Sequence, residues 1–553
     1  MDFSLAEVHD AIANAIPDRE ALVFRDRRLS YGDLRDRSRQ LANFLLSRGL
    51  SVSAERSTIA GHESGQDHLA IYCYNGNEYV EAMLGAFKAR VAPLNVNYRY
   101  VEEELLYLLK DSNARAIVYH SEFAPILDKI RSELPRLEVL IQIEDESGNG
   151  LLTDAVEYEE ALASASSDLP DVTWSPDDLY ILYTGGTTGM PKGVLWRSAD
   201  IFVGAMGGRR LNGEIYQTLD EIIEAAKAGG DQRNMPIPPL MHGASQWVTL
   251  GSLASGSTIV LQSEPRRLDA NDILSTIERE RVTVCLIVGD AFARPILDEM
   301  KKGVHDISSL NVVASGGAPL STAAKEEFLE LKPTLIVVDA IGSSETGSQG
   351  SNIGSKASGV TTGSFTPGPS TGVVSEDMKR VLQPGDDEIG WFAQLGYVPL
   401  GYLGDEAKTA RTFPLVEGTR YAIPGDRARF VAGGLIEVLG RDSVTINSGG
   451  EKIFAEEVEG ALKLHPAVYD AVVCGRASER WGQEVVAIVR LREGVTASQQ
   501  DLLGECKKHI ARYKFPKEII FLDEIVRSPA GKADYRWAKE LIASRATSGA
   551  AKP

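Results

Sequence analysis

The chain has 553 residues, too many for a single hydrophobic core, so more than one domain is expected. Its 43% hydrophobic and 25% charged residues are the composition of an ordinary globular protein, and a formal net charge of −20 excludes a general nucleic-acid binder. No apolar run approaches the ~18 residues that would give a transmembrane segment, and residues 1–10 lack the basic start and apolar core of a signal peptide. Cys73, Cys285, Cys474 and Cys506 are scattered, and the eight histidines do not cluster. That pattern fits a reduced, cytoplasmic protein without a transition-metal site.

In chain order, Ser30-Tyr-Gly-Asp33 predicts a capped helix start, with Leu34, Leu41, Phe44 and Leu45 following at helical spacing. A strand over 70–74, a helix over 79–88 and a strand over 116–119 read as two βα-like units. Residues 161–175, rich in Ala, Ser, Asp and Pro, read as a surface linker. Strand-like runs at 178–183, 258–261, 284–288 and 335–338 then alternate with helical candidates. Residues 354–371 read as a long Gly/Ser/Thr/Pro loop. From Gly440-Arg441 onward a compact αβ pattern predicts a helix over 455–464, strands over 471–474 and 484–491, a helix over 500–510 and a last helix over 535–544. The fold class expected is α/β. A large N-terminal domain (1–440) of layered, largely parallel sheets and helices precedes a small mobile αβ C-terminal domain (441–553).

Tyr183-Thr-Gly-Gly-Thr-Thr-Gly-Met-Pro-Lys-Gly193 is the most informative stretch. It follows a strand-length apolar run. Its glycines let the backbone approach a ligand, and successive N–H groups in such a loop form an anion-binding concavity. Thr184, Thr187 and Thr188 add hydroxyls and Lys192 a charge. The pattern differs from the P-loop, which requires Gly directly before its Lys and Ser or Thr directly after it; here Lys192 lies between Pro191 and Gly193. A bare hairpin turn with a solvated lysine is the bland alternative.

This segment resembles the signature loop of the acyl-adenylate-forming enzymes, the superfamily of acyl- and aryl-CoA synthetases, luciferases and peptide-synthetase adenylation domains. Gly185 stands where that family usually has Ser. The resemblance implies that Thr184, Gly185, Gly186, Thr187, Thr188, Gly189 and Lys192 contact nucleotide phosphates. Further motifs follow in the family's order. Ser315-Gly316-Gly317-Ala318-Pro319-Leu320 resembles the loop along the adenine. Asp339-Ala340-Ile341-Gly342-Ser343-Ser344-Glu345-Thr346 resembles the segment whose glutamate binds Mg²⁺, with Ile341 in place of the usual stacking aromatic. Glu345 and Thr188 are the implied metal ligands. Tyr421-Ala-Ile-Pro-Gly-Asp426 implies that Asp426 accepts from the ribose hydroxyls.

Gly440 to Glu459 resembles the interdomain hinge and the segment after it, with Arg441 reaching ribose or phosphate. Ser443 stands where the family has Asp or Lys as pivot. Ser448, Gly449 and Gly450 have the small side chains needed where the pantetheine arm of CoA passes. Ser528-Pro-Ala-Gly-Lys532 resembles the terminal motif that carries the catalytic lysine.

Pro238 to Trp247 resembles the segment whose histidine, here His242, lies at the carboxylate end of the acyl pocket. Gly243 and Ala244 are small and Trp247 is large, implying a roomy pocket with an aromatic wall. The implied reaction uses ATP, Mg²⁺ and coenzyme A, with Lys532, Glu345, His242 and Thr188 as catalytic residues. A carboxylic acid becomes an acyl-adenylate and then an acyl-CoA. Overall similarity points to fatty acids or bulky acids such as steroid side chains. A stand-alone adenylation enzyme loading a carrier protein and a non-catalytic ligand binder are the alternatives. The resemblance leaves room for a homodimer.

Overall fold

The computed structural model describes residues 2–184, 190–210, 212–448, 451–478, 480–528 and 531–549. Among them the strands form three sheets, of fifteen, eight and five strands. The capped helix is Tyr31–Ser47. Ser30 Oγ accepts from the Asp33 N–H at 3.0 Å, and Asp33 accepts in return from the Ser30 N–H at 2.9 Å. A cap of this kind contributes about 1 kcal/mol by satisfying donors the helix itself cannot.

The eight-stranded sheet has its core in the parallel strands Ala92–Asn95, His68–Tyr72, Ala116–His120 and Val139–Ile143. Leu179–Thr184 joins it in parallel beside Ala92–Asn95, and Lys192–Arg197 folds back antiparallel to Leu179–Thr184. The large sheet is parallel from Glu20–Phe24 through Thr258–Leu261, Arg233–Pro236, Val284–Ile287 and Val312–Gly316 to Ile336–Ser343. Beyond Ile336–Ser343 it continues as an antiparallel meander through Gly347–Gly354, Ser364–Pro367, Leu435–Arg441 and Asp426–Val431. The alternation of strand and helix announces the parallel part; the antiparallel part, with only the short helix Glu406–Thr412 among its connections, gives no such signal. Residues 354–371, read as one loop, contain the strand Ser364–Pro367, and the linker read over 161–175 begins inside the helix Tyr158–Ala163.

The five-stranded sheet orders Glu451–Ile453, Ile446–Ser448, Gly482–Leu491 and Val468–Ser478, with Glu518–Phe521 parallel to Gly482–Leu491. Helices Ala455–Lys463 and Gln499–His509 cover one side, burying Val458, Leu462, Leu502 and Cys506 against Val473, Ala487 and Val489. The last helix, Tyr535–Gly549, packs Ala538 and Ile542 on Val472, Val486 and Ile488 on the other. Among the described residues no helix is long and apolar enough to cross a membrane.

Candidate active site

The strand Leu179–Thr184 is apolar and buried along nearly its whole length because it lies inside the eight-stranded sheet. Thr184 stands opposite Lys192 across the antiparallel hairpin of the strands Leu179–Thr184 and Lys192–Arg197. Gly185, Gly186, Thr187, Thr188 and Gly189 lie outside the described residues. Asp111 holds both flanks of that hairpin. Its Oδ2 accepts from the Tyr183 hydroxyl at 2.8 Å, and its Oδ1 lies 3.4 Å from Lys192 Nζ. Partial burial opposes the charge of Lys192, but Tyr107 and Asp111 outweigh it and the pKa rises.

Asn95 joins this hairpin to the acyl-pocket segment. Its amide nitrogen donates to the Tyr183 carbonyl at 2.9 Å and the Met241 carbonyl at 2.6 Å, and its oxygen accepts from the Tyr183 N–H at 2.7 Å. Asn75 acts alongside, accepting from the Leu240 N–H at 2.6 Å. Neither residue belongs to a motif, and sequence reasoning missed both.

His242 is the N-cap of the helix Gly243–Ala254 but makes no side-chain cap bond, and its Nε2 is covered without a hydrogen-bond partner. Burial drives its pKa down to about 3, helped by the charges of Lys532 and Arg99, so the ring is neutral. Gly243, Ala244 and Trp247 follow on the helix, each partly exposed. A Cβ on Gly243 would lie 2.7 Å from Leu182 and 3.4 Å from the Trp247 ring.

Of the segment that carries Glu345, Asp339, Ala340, Ile341, Gly342 and Ser343 end the strand Ile336–Ser343, and Ser344 and Glu345 turn the hairpin into Gly347–Gly354. Gly342 is required there, since a Cβ would collide with the Gly347 carbonyl. Thr346 Oγ1 accepts from the Ser343 N–H at 3.0 Å, and the Ser344 carbonyl accepts from Trp196 Nε1 at 2.8 Å. Glu345 is 8% exposed, and its Oε1 accepts from the Tyr402 hydroxyl at 2.8 Å. Tyr402 belongs to the eight-stranded sheet, so this bond ties the two large sheets together at the site. Lys408 lies 3.8 Å from the Tyr402 ring centroid; burial lowers its pKa, with Glu345 opposing. Tyr402 and Lys408 were also missed from sequence.

Asp339 is held by Lys325, whose Nζ donates to Oδ2 at 2.7 Å and to the Thr361 carbonyl at 2.6 Å, with both side chains buried. Burial still keeps the Asp339 pKa above its ordinary value. Replacing Lys325 by Met strands that carboxylate, and the expected loss is about 3–5 kcal/mol. Thermal unfolding should show a large drop for Lys325→Met and recovery of much of it in Lys325→Met/Asp339→Leu. Equal melting of the two variants would show that the pair does not act as a unit.

Asp426 and Arg441 are cross-strand partners in the pair Asp426–Val431 and Leu435–Arg441, with Arg441 Nε 3.4 Å from Asp426 Oδ1. Burial raises the Asp426 pKa against the charges of Arg441 and Lys532. Lys532 arrives from the C-terminal segment. Gly531, at φ +72°, packs against the first turn of the helix Gly289–Met300; a Cβ would lie 3.2 Å from the Val288 carbonyl and Ala291. Lys532 then crosses Gly317 of the loop Gly316-Gly317-Ala318-Pro319, with its Cε 3.8 Å from where a Cβ would be. The side chain meets solvent within the cleft while protein surrounds it. Desolvation lowers its pKa first and Arg441 second, with Glu345 and Asp426 opposing. Lys532, Arg441, Glu345 and Asp426 thus sense one another's charge, two positive and two negative, with His242 at the edge.

Ser448 lies on the hairpin of the five-stranded sheet, opposite Glu451 and Gly482, and Gly449 and Gly450 are outside the described residues.

A profile of the AMP-binding enzyme family matches residues 10–390, and that of the AMP-binding enzyme C-terminal domain matches residues 457–532. The chain is 56% identical over 539 residues to the medium-chain acyl-CoA ligase Mig of Mycobacterium avium, covering 97% of this chain and 98% of that one. It is 39% identical to the 3-oxocholest-4-en-26-oate–CoA ligase of Rhodococcus rhodochrous, with 99% and 97% covered. The fold matches the crystal structure of the anthranilate CoA ligase AuaEII in complex with anthranoyl-AMP, at TM-score 0.81 and 22% identity over 98% of both chains. With one family profile spanning most of the chain and a close relative along its length, the chain belongs to the AMP-binding enzymes, as an acyl-adenylate-forming acyl-CoA ligase.

Proposed function

We propose that this protein activates medium- to long-chain or bulky ring-bearing carboxylic acids, using Lys532, Glu345, Asp426, Arg441 and His242 as its working residues. The observation that carries the reading is the meeting of those five side chains in one cleft, from segments up to 290 positions apart. The acid class is supported by the relatives: one is named for medium-chain acids and one for a steroid side-chain acid.

In the first half-reaction a carboxylate oxygen bonds to the α-phosphorus of ATP and the bond to pyrophosphate breaks. Such chemistry depends on positioning and on charge neutralisation. Lys532 and Arg441 supply positive charge, and Asp426 accepts from the ribose hydroxyls. His242, being neutral, lets the acid approach without an ion pair that would hold it back. Mg²⁺ fits the donor set: Glu345 offers a carboxylate fixed by Tyr402, Thr188 a hydroxyl, and the phosphates the remaining hard oxygens. When bound, the ion neutralises phosphate charge.

In the second half-reaction the C-terminal body, residues 441–553, swings about Arg441–Ser443. Lys532 leaves and the face that carries Ser448 comes forward for CoA. The CoA sulfur bonds to the acyl carbon as the bond to AMP breaks. A domain motion of this kind completes each arrangement in turn. A cytoplasmic location suits the use of ATP and CoA.

The reading is tested by a panel of straight, branched and ring-bearing acids assayed for CoA-dependent AMP production. Gly243→Leu sharpens the test. A Cβ there already overlaps Leu182 and touches the Trp247 ring, so leucine overpacks the pocket wall by about 1–3 kcal/mol. The kcat/KM for ring-bearing acids should fall roughly ten- to hundredfold with short straight acids spared and the KM for ATP unchanged. A uniform loss across all acids would remove this segment from the acyl pocket.

A further inference from the structure

Glu456 lies in the first turn of the helix Ala455–Lys463, on the five-stranded sheet. Its carboxyl projects across to the end of the strand Leu435–Arg441 in the large sheet. The contact is with Gly440, which sits at φ +123° and whose absent side chain makes room: a Cβ there would collide with Glu456 Oε2. That oxygen is fully covered and has no hydrogen-bond partner. The backbone N–H groups of Glu456 and Arg441 face the carboxyl. The charged or titratable groups around it are Asp426 and Arg441 on the two large-sheet strands, Glu459 on its own helix and Tyr535 on the last helix. Glu459 is itself engaged by the Val473 N–H at 2.9 Å and the Tyr535 hydroxyl at 3.1 Å.

We propose that Glu456 is a positioning residue that clips the C-terminal body to the hinge strand at Gly440–Arg441, and that domain alternation requires this clip to open. The proposal rests on the swing described under the proposed function. A covered carboxyl oxygen without a hydrogen-bond partner favours the neutral acid, since an ionised carboxylate there would be desolvated beside Asp426 and Glu459. Burial, followed by the charge of Glu459, pushes the carboxyl up to about 8, so it is neutral here at physiological pH. Once the helix moves away from Gly440 the carboxyl meets water, returns to an ordinary value near 4.5 and gives its proton to solvent. Because the folded-in form binds the proton more tightly, its advantage is complete below about 4.5. It is lost progressively as pH rises towards about 8. Between these limits the swung arrangement gains up to about tenfold per pH unit, and above 8 the dependence flattens.

By contrast some of the other links across the hinge are exposed ion pairs, such as Lys452 with Glu376 at 2.9 Å. These are weakly stabilising and insensitive to pH near neutrality.

The experiment measures both half-reactions of the full-length protein from pH 6 to 9. Adenylation is read by pyrophosphate release with an accepted acid, and thioester formation from supplied acyl-adenylate and CoA. In wild type the ratio of thioester formation to adenylation should climb with pH and level off near 8. Glu456→Gln, which mimics the neutral acid, should keep adenylation, lower thioester formation tenfold or more at pH 8 and flatten the ratio. Glu456→Ala should open the clip, slowing adenylation while thioester formation persists. A wild-type ratio independent of pH, or an identical climb in Glu456→Gln, overturns the proposal. Limited trypsin cleavage after Arg441 reads the clip without turnover. Cleavage should accelerate with pH in wild type relative to Glu456→Gln, and equal rates at every pH overturn the clip. Wild type inactive on every acid but showing the cleavage difference would overturn the functional reading and leave the clip standing.

Discussion

Lys532→Ala is expected to abolish acyl-adenylate formation while leaving thioester formation from supplied acyl-adenylate within about threefold of wild type. Lys532 enters the cleft only because Gly531 docks on the helix Gly289–Met300, and its ammonium is opposed by Arg441 and balanced by Glu345 and Asp426. Removing it leaves the developing pyrophosphate charge without its nearest movable cation. Loss of one preorganised charge-stabilising group of this kind typically costs roughly 10²–10³ in rate. On the proposed swing the lysine has withdrawn in the second half-reaction, which then has no use for it. The check is pyrophosphate release set against CoA-thioester yield from synthetic acyl-adenylate. Equal loss in both would refute a lysine that works in one arrangement only.

Glu345→Gln is expected to weaken use of Mg²⁺-ATP strongly. The amide oxygen can still accept from Tyr402, so the hairpin should hold its shape, but the charge proposed to bind the hard cation is gone. Loss of a residue that merely orients a metal ligand costs roughly 10–100-fold, and removing a ligand should cost at least as much. Adenylation at saturating acid should fall by that factor, and added Mg²⁺ should restore part of it. Wild-type activity at limiting Mg²⁺ would eliminate Glu345 as a ligand. Because Glu345 also balances Lys532 and Arg441, the KM for ATP should be measured across ionic strength, which weakens exposed charge effects more than buried ones.

The residues that could be read from sequence share one property: their signal is local. The capping box at Ser30 and Asp33 spans four positions, and the glycine-rich loop, the Glu345 hairpin and the lysine turn are each short enough to be seen as motifs. Asn95 is invisible by that measure because its partners, Tyr183 and Met241, lie 88 and 146 positions away. Tyr402 meets Glu345 across 57 positions, and Lys325 is one polar residue on an ordinary helix. The parallel half of the large sheet was legible as apolar runs between helices. Gly347–Gly354, rich in Gly and Ser, has little intrinsic strand preference, and it is a strand because Ile336–Ser343 offers it a partner. Lys192, the expected phosphate contact, lies beside Asp111 and Tyr107. The sequence separation of 81 residues hides that pairing.

Trp196 is the one tryptophan of six with no exposed surface, and its indole N–H is bound to the carbonyl of Ser344, the residue immediately before Glu345. The protein therefore carries an optical marker wired to the Glu345 hairpin. An indole in a dry, fixed surrounding emits towards the blue and is shielded from quenchers in solution, whereas the remaining five sense water to differing degrees. Any event that shifts the Ser344 carbonyl changes the colour and lifetime of this one emitter, so occupancy of the cleft is readable as light without attaching a dye.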